Sequence, residues 1–312
     1  MLAVFESSFP IFLLIFVGMA LRRTPLVDEA GWPGMEQLTY WFLYPALLFV
    51  TVLNADFTGL ALDRMLVSLL LGLGAMIALS LAMWWPVRTL GLASAREFGS
   101  MFQSSIRWNG FMALAIAQSL FGSAGAAVVA LVMAVIIVPI NVASVSVLSF
   151  FSGRDLALGK VLRQIAINPF IVSIVLALML RMTPGGLYGP LNETLTLVGS
   201  AALGLGLISI GAGLRPGDLL SARATMWLPV FVKLILFPAV LVAIALSFGV
   251  TGDQLLYLTL CAAVPTAMNG YLLARQLGSD AELYAAITTI QTGLSFFTIP
   301  AVLAVTAQLT SG

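Results

Sequence analysis

Two short polar stretches interrupt long apolar runs in this chain. One is Gln103-Ser104-Ser105-Ile106-Arg107-Trp108-Asn109-Gly110; the other is Val264-Pro265-Thr266-Ala267-Met268-Asn269-Gly270. Pro265 cannot donate to the carbonyl one turn earlier, and Gly110 and Gly270 lower the cost of unwinding. Backbone groups freed inside an apolar environment are tolerable only within protein or against a wet cavity. Each half-helix that starts after such a break carries about half a positive charge at its N-terminus. Asn109 and Asn269 then read as paired amides for a ligand. Gly110, Gly270, Thr266 and Ser105 complete the polar surface, and Pro265 marks the break. The alternative is that each Asn-Gly only kinks and packs a helix, with Asn bonded to nearby backbone.

Arg107 sharpens the reading. A cation near the centre of a bilayer costs about 2.5–3.5 kcal/mol on insertion scales. The expectation is that it draws an anion to the site, against the alternative of snorkelling or binding carbonyls. Lys233 lies at similar depth in another run, and its flexible stem favours snorkelling, with a place on the pathway second. All 13 Asp and Glu map to connections or run ends. The candidate site is therefore electropositive and should prefer an anion. Tyr44, Asn141 and Gln291 are further pathway candidates, each read first as structural.

These residues need elements to hold them, and the composition says which kind. The chain has 312 residues, 61% hydrophobic and only 9% charged, against roughly a quarter charged in a soluble domain. An integral membrane protein of all-helical class follows, with the lipid bilayer as its main partner. With no His there is no imidazole catalysis, and the single Cys261 excludes disulfides within the chain and thiolate metal clusters. The net charge of +1 offers no field for nucleic acid. No cofactor, metal or enzyme activity is expected.

Apolar runs of about 20 residues, the length that crosses a bilayer, number ten. They fall at about 8–21, 35–53, 65–87, 98–121, 125–150, 163–180, 191–214, 224–248, 254–276 and 283–309. Arg22, Arg23, Arg88, Arg96, Arg154, Lys160, Arg163, Arg215, Arg223 and Arg275 fall on or beside the connections after odd-numbered runs; only Arg64 and Arg181 fall on the other side. This asymmetry places those connections in the cytoplasm and both termini outside. Pro10, Leu21, Arg22, Thr24 and Pro25 match Pro169, Leu180, Arg181, Thr183 and Pro184 at one shift, and Asn109-Gly110 matches Asn269-Gly270 one residue beyond it. Two halves, 1–155 and 156–312, each of five spans, must then cross in opposite directions, as in many secondary transporters.

The chain resembles the auxin efflux carrier family, in its bacterial form. The resemblance rests on Phe9-Pro10-Ile11-Phe12, Tyr44-Pro45-Ala46-Leu47-Leu48-Phe49, Arg107-Trp108-Asn109-Gly110, Lys233-Leu234-Ile235-Leu236-Phe237-Pro238 and Pro265-Thr266-Ala267-Met268-Asn269, in that order along the whole chain. It implies a five-plus-five inverted fold like that of sodium/proton antiporters and bile-acid symporters. Spans 1, 2, 6 and 7 would form a scaffold, and spans 3–5 and 8–10 a moving transport domain in which spans 4 and 9 cross. It also implies a homodimer in the inner membrane and an elevator-type carrier of small organic anions. Cation-coupled uptake and an anion channel are the rival readings. Ser105 stands where plant members have a second proline, which leaves the break in span 4 to the structure. The connection between spans 5 and 6 is short, so the long regulatory loop of plant members has no counterpart.

Overall fold

A computed structural model of the chain describes residues 2–153, 158–217 and 223–310. Among the described residues all regular structure is helical. The helices are α1 (Leu2–Leu21), α2 (Gly31–Leu38), α3 (Tyr44–Leu53), α4 (Leu62–Ala82), α5 (Trp84–Thr89), α6 (Ala95–Ile106) and α7 (Gly110–Ser152). They continue with α8 (Leu158–Ala166), α9 (Pro169–Arg181), α10 (Gly189–Gly213), α11 (Trp227–Phe231), α12 (Phe237–Ser247), α13 (Gly252–Ala263), α14 (Gly270–Leu277) and α15 (Ala281–Thr310). Arg154 and the junction expected at residue 155 lie outside the described residues.

Among the described residues six helical stretches are long and apolar enough to cross a membrane: Val4–Leu21, Leu62–Thr89, Ala95–Ser152, Gly189–Gly213, Trp227–Ser247 and Ala281–Thr310, with Pro169–Arg181 a shorter apolar helix. Of the remaining runs, 254–276 is interrupted between Ala263 and Gly270 and 35–53 contains a π-turn. Thr39–Leu43 forms a π-turn directly before Tyr44-Pro45, and Val232–Leu236 forms one directly before Phe237-Pro238. Proline cannot supply the N–H that the α-helical ladder needs, and the chain widens by one residue: the N–H of Tyr44 reaches the Thr39 carbonyl, and that of Phe237 reaches the Val232 carbonyl. Within α7 the chain turns at Gly122, whose φ of 64° and ψ of −153° suit glycine alone.

Two expected boundaries move. The first apolar helix begins at Leu2 and takes in Glu6 and Pro10. The run expected from 163 begins as a helix at Pro169, because the Asn168 side chain accepts from the Phe170 N–H at 3.0 Å and proline is well placed in a first turn. Residues 163–166 belong instead to the separate short helix α8.

The helices pack in two groups. In one, α1 lies along α10, and α3 packs against both α9 and α10. In the other, α4 packs on α12, α6 on α7, and α13 on α12 and α15. The groups meet where α7 touches α1, α3, α9 and α10, and where α15 touches α1. That last seam is aromatic: the Phe296 ring sits 4.9 Å from Phe5 and 5.0 Å from Phe12, both nearly edge-on. The α1–α10 contact is of a different kind. A Cβ on Gly18 would collide with the Ile208 carbonyl oxygen of α10, and one on Gly211 with the Ile15 carbonyl oxygen of α1.

Because backbone cannot retreat as a side-chain tip can, Gly211→Ala is expected to destabilise the protein by about 1–3 kcal/mol or more, the range for overpacking. Gly204→Ala, on the same helix with nothing within 4 Å of the added carbon, should be neutral or slightly stabilising. Melting midpoints of the two variants in one detergent check the contrast.

Candidate functional site

Both breaks anticipated from Asn-Gly occur, and they touch. Helix α6 stops at Ile106, and Arg107 is extended with φ −69° and ψ 158°. No proline is needed there. The Asn109 N–H leaves its own helix and donates to the Pro265 carbonyl at 2.8 Å, while the Arg107 N–H closes α6 on Gln103. Helix α7 then starts at Gly110, capped by the Asn109 side-chain oxygen, which accepts from the Met112 N–H at 3.1 Å. Half of the Asn109 amide is thus committed to its own helix.

The second break is longer. Helix α13 stops at Ala263, Val264 is extended, and α14 resumes at Gly270. Side chains hold the gap in place of a ladder. The Thr266 N–H donates to the Gln291 side-chain oxygen at 2.9 Å. The Tyr284 hydroxyl donates to the Ala267 carbonyl at 2.6 Å, leaving the Thr266 hydroxyl, 2.8 Å away, to donate to Tyr284. Gln103 of α6 donates its amide to the Gly270 carbonyl at 3.0 Å. Gly270 is required at its place, since a Cβ there would overlap the hydroxyl end of Tyr284.

A cavity of about 450 Å³ lies beside the crossing, within the usual range for small-molecule sites. One wall comes from the first helix group: Tyr40, Trp41, Asn168 and Phe170. The other comes from the second: Arg107, Trp108, Gly110, Phe111, Asn141, Ala267 and Asn269. Ile165 and Ile167, in and next to α8, close a further side. Its polar groups are one guanidinium, three side-chain amides, the Tyr40 hydroxyl and indole N–H groups, with no carboxylate among the described residues that line it. Arg107 holds its guanidinium 3.4 Å from the Gln103 side-chain oxygen and 3.5 Å from that of Asn269. Both are long contacts that leave its donors available.

The expected site residues divide accordingly. Arg107, Gly110, Asn141 and Asn269 line the cavity. Ser105 is buried away from it, donating to the Met101 carbonyl of its own helix at 2.8 Å. Thr266, Pro265 and Gly270 are buried in the scaffolding of the second break, not on its open surface. Tyr44 is fully buried against Phe111, with ring centroids 3.8 Å apart, just behind the cavity wall. Gln291 is likewise enclosed, and bonds only to backbone.

Lys233 does not snorkel. It is fully buried, donates to the Ala262 carbonyl at 3.0 Å, and sits 4.5 Å above the Phe237 ring. Ala262 lies in the last turn of α13, where carbonyls have no partner in their own helix and a cation is favoured. Arg181 does the same for α3, donating to the Val52, Leu53 and Ala55 carbonyls at 3.0, 2.8 and 2.6 Å.

Several contributors escaped the sequence reading. Asn168 had a usable signal, an Asn-Pro pair opening an apolar run. Tyr40 and Tyr284 had none, because their roles depend on helices distant in the chain.

Comparison with known proteins bears on what this site serves. The family model described as membrane transport protein matches residues 3–156 and 155–303. An "uncharacterized transporter" of Methanothermobacter thermautotrophicus is 22% identical over 95% of this chain and 96% of its own. A "putative malonate transporter" of Rhizobium meliloti is 29% identical over 94% of this chain and 93% of its own.

Gly270→Ala is expected to lower the melting midpoint, since its new carbon meets the Tyr284 ring. Adding Tyr284→Leu, itself destabilising through the lost hydroxyl bonds, should then cost less than it does in the wild-type background. Thermal melts of the two single variants and the double variant measure this coupling, expected at about 0.5–3 kcal/mol for residues in contact.

Proposed function

We propose that this chain, which belongs to the membrane transport protein family, the family of the auxin efflux carriers, moves small carboxylates across the membrane as a secondary carrier. The observation that carries the reading is the cavity at the crossing of two broken helices. It offers one guanidinium, three amides and aromatic walls, with no acid among the described lining residues to repel an anion or to bind a cation. A carboxylate would lie between Arg107 and Asn269, with Asn141, Asn168 and Tyr40 as further donors. Transport of malonate is ascribed by name to a relative, and a dicarboxylate of that size belongs in the first panel of substrates.

The described helices support a path of ten membrane passes in two inverted halves. Ala95–Ser152 spans 58 residues, about 87 Å if straight, nearly three bilayer cores; with its breaks at Arg107 and Gly122 it suits two passes. The two packing groups support a scaffold of spans 1, 2, 6 and 7 and a transport domain of spans 3–5 and 8–10, the cavity lying between them. Relative sliding of the groups would give elevator-type alternating access. Ile165, Ile167 and Asn168 adjoin the basic α8, on the side the charge bias assigns to the cytoplasm, so the cavity is read as inward-facing. A bacterial inner membrane and a homodimer complete the reading.

The interior potential favours anion exit by about 2.3 kcal/mol per charge per 100 mV, so efflux needs no coupling ion.

Purified protein in liposomes, given malonate and short monocarboxylates, should show a saturable current without any proton or sodium gradient. Arg107→Gln should raise KM about 10–100-fold, the value of a charge-assisted hydrogen bond, and Asn269→Ala should raise it less. Dependence on a cation gradient would establish the symporter instead. Flux without saturation or counterflow would establish a channel, and wild-type behaviour of both variants would place the site elsewhere.

A further inference from the structure

Gln291 projects from α15 into a fully buried position, and its amide makes three hydrogen bonds, each to backbone of a different element. Its oxygen accepts from the Thr266 N–H at 2.9 Å, in the gap between α13 and α14. Its nitrogen donates to the Ser104 carbonyl at 3.1 Å and to the Pro229 carbonyl at 3.2 Å. Ser104 lies in the last turn of α6, where carbonyls have no partner in their own helix. Pro229 lies in α11, just ahead of the π-turn at Val232–Leu236. The orientation of the amide is fixed by these partners, since the Thr266 N–H needs an acceptor and the Ser104 carbonyl at the end of α6 needs a donor. Among neutral side chains of that length, only glutamine supplies both from one planar group.

The two ties to the crossing have matching positions. Ser104 is three residues ahead of Arg107, and Thr266 is three residues ahead of Asn269, the two residues whose polar ends meet on one wall of the cavity.

We infer that Gln291 is a positioning residue, which locks the two helix breaks in one register so that Arg107 and Asn269 present a single anion site. This rests on the carrier reading given above. It predicts that losing the lock scatters the site, raising KM more than it lowers turnover.

The experiment uses Gln291→Leu and Gln291→Glu in the full-length protein, with two readouts. One is hydrogen–deuterium exchange of the segment containing Thr266, taken relative to wild type at the same pH. The other is liposome transport of malonate as KM and turnover, from pH 8 to pH 5. In Gln291→Leu, exchange at Thr266 should accelerate at least tenfold and KM rise about tenfold, with a smaller change in turnover. In Gln291→Glu, the ionised form can accept from Thr266 but cannot donate to either carbonyl. On protonation one donor returns. The ratio of its KM to that of wild type should therefore fall as the pH is lowered. A ratio of one across that range, or Thr266 exchange unchanged in Gln291→Leu, would overturn the inference. If Gln291→Leu fails to fold, the KM ratio of Gln291→Glu to wild type decides. If wild type carries no carboxylate, the carrier reading falls while exchange at Thr266 still tests the lock.

Discussion

A backbone amide buried in hydrocarbon without a partner costs several kcal/mol, and this chain interrupts two helices deep inside its apolar body. That constraint organises the structure around the crossing. The bond from the Asn109 N–H to the Pro265 carbonyl lets each break satisfy part of the other. What remains is taken up by long side chains sent from neighbouring helices. Gln103 and Gln291 reach the second break, Tyr284 braces Thr266 and Ala267, and Lys233 takes a carbonyl at the end of α13. Without such partners the unwound segments would return to continuous helix, and the cavity beside them would lose its polar wall.

The cavity therefore inherits its character from how the breaks are satisfied. The side chains most deeply engaged with backbone are unavailable to a ligand, and this removes Ser105, Thr266 and most of Asn109 from its surface. Arg107 and Asn269 remain on it because they stand just past the tied positions and make only long contacts with each other. The opposite wall, with Tyr40, Trp41, Asn168 and Phe170, is carried by the other helix group, so the guanidinium side of the cavity and the side facing it belong to parts that pack as separate units.

Much of this was legible in the sequence because it depends on local rules. Apolar run length, Asn-Gly in mid-run, Pro265 and the isolated Arg107 all point to broken helices with a guanidinium beside them. Ser105 misled as a marker. Its lack of a ring said nothing about the break beside it, because the break is made by a bond to a residue far along the chain. The role of Lys233 was hidden for a similar reason: whether a lysine reaches for water or for a helix end depends on which end lies nearby. Gln291 reads first as structural, but composition records an amide and not its partners, so the three backbone groups it joins were hidden. Among the described residues six stretches qualify as long apolar helices where the sequence shows ten apolar runs: Ala95–Ser152 takes in two of them, Pro169–Arg181 is short, and the runs at 35–53 and 254–276 are divided by a π-turn and by the second break.

The paired glycines of α1 and α10 have a mechanical consequence. Gly18 meets the backbone of α10 at Ile208, and Gly211 meets the backbone of α1 at Ile15, so the two helices are held at two points with no side chain between them to deform. Such a pair resists shear. When the surrounding bilayer thins or thickens, a single helix can tilt to follow it, but these two must tilt together. Lipid thickness would then act on the pair as a single strut.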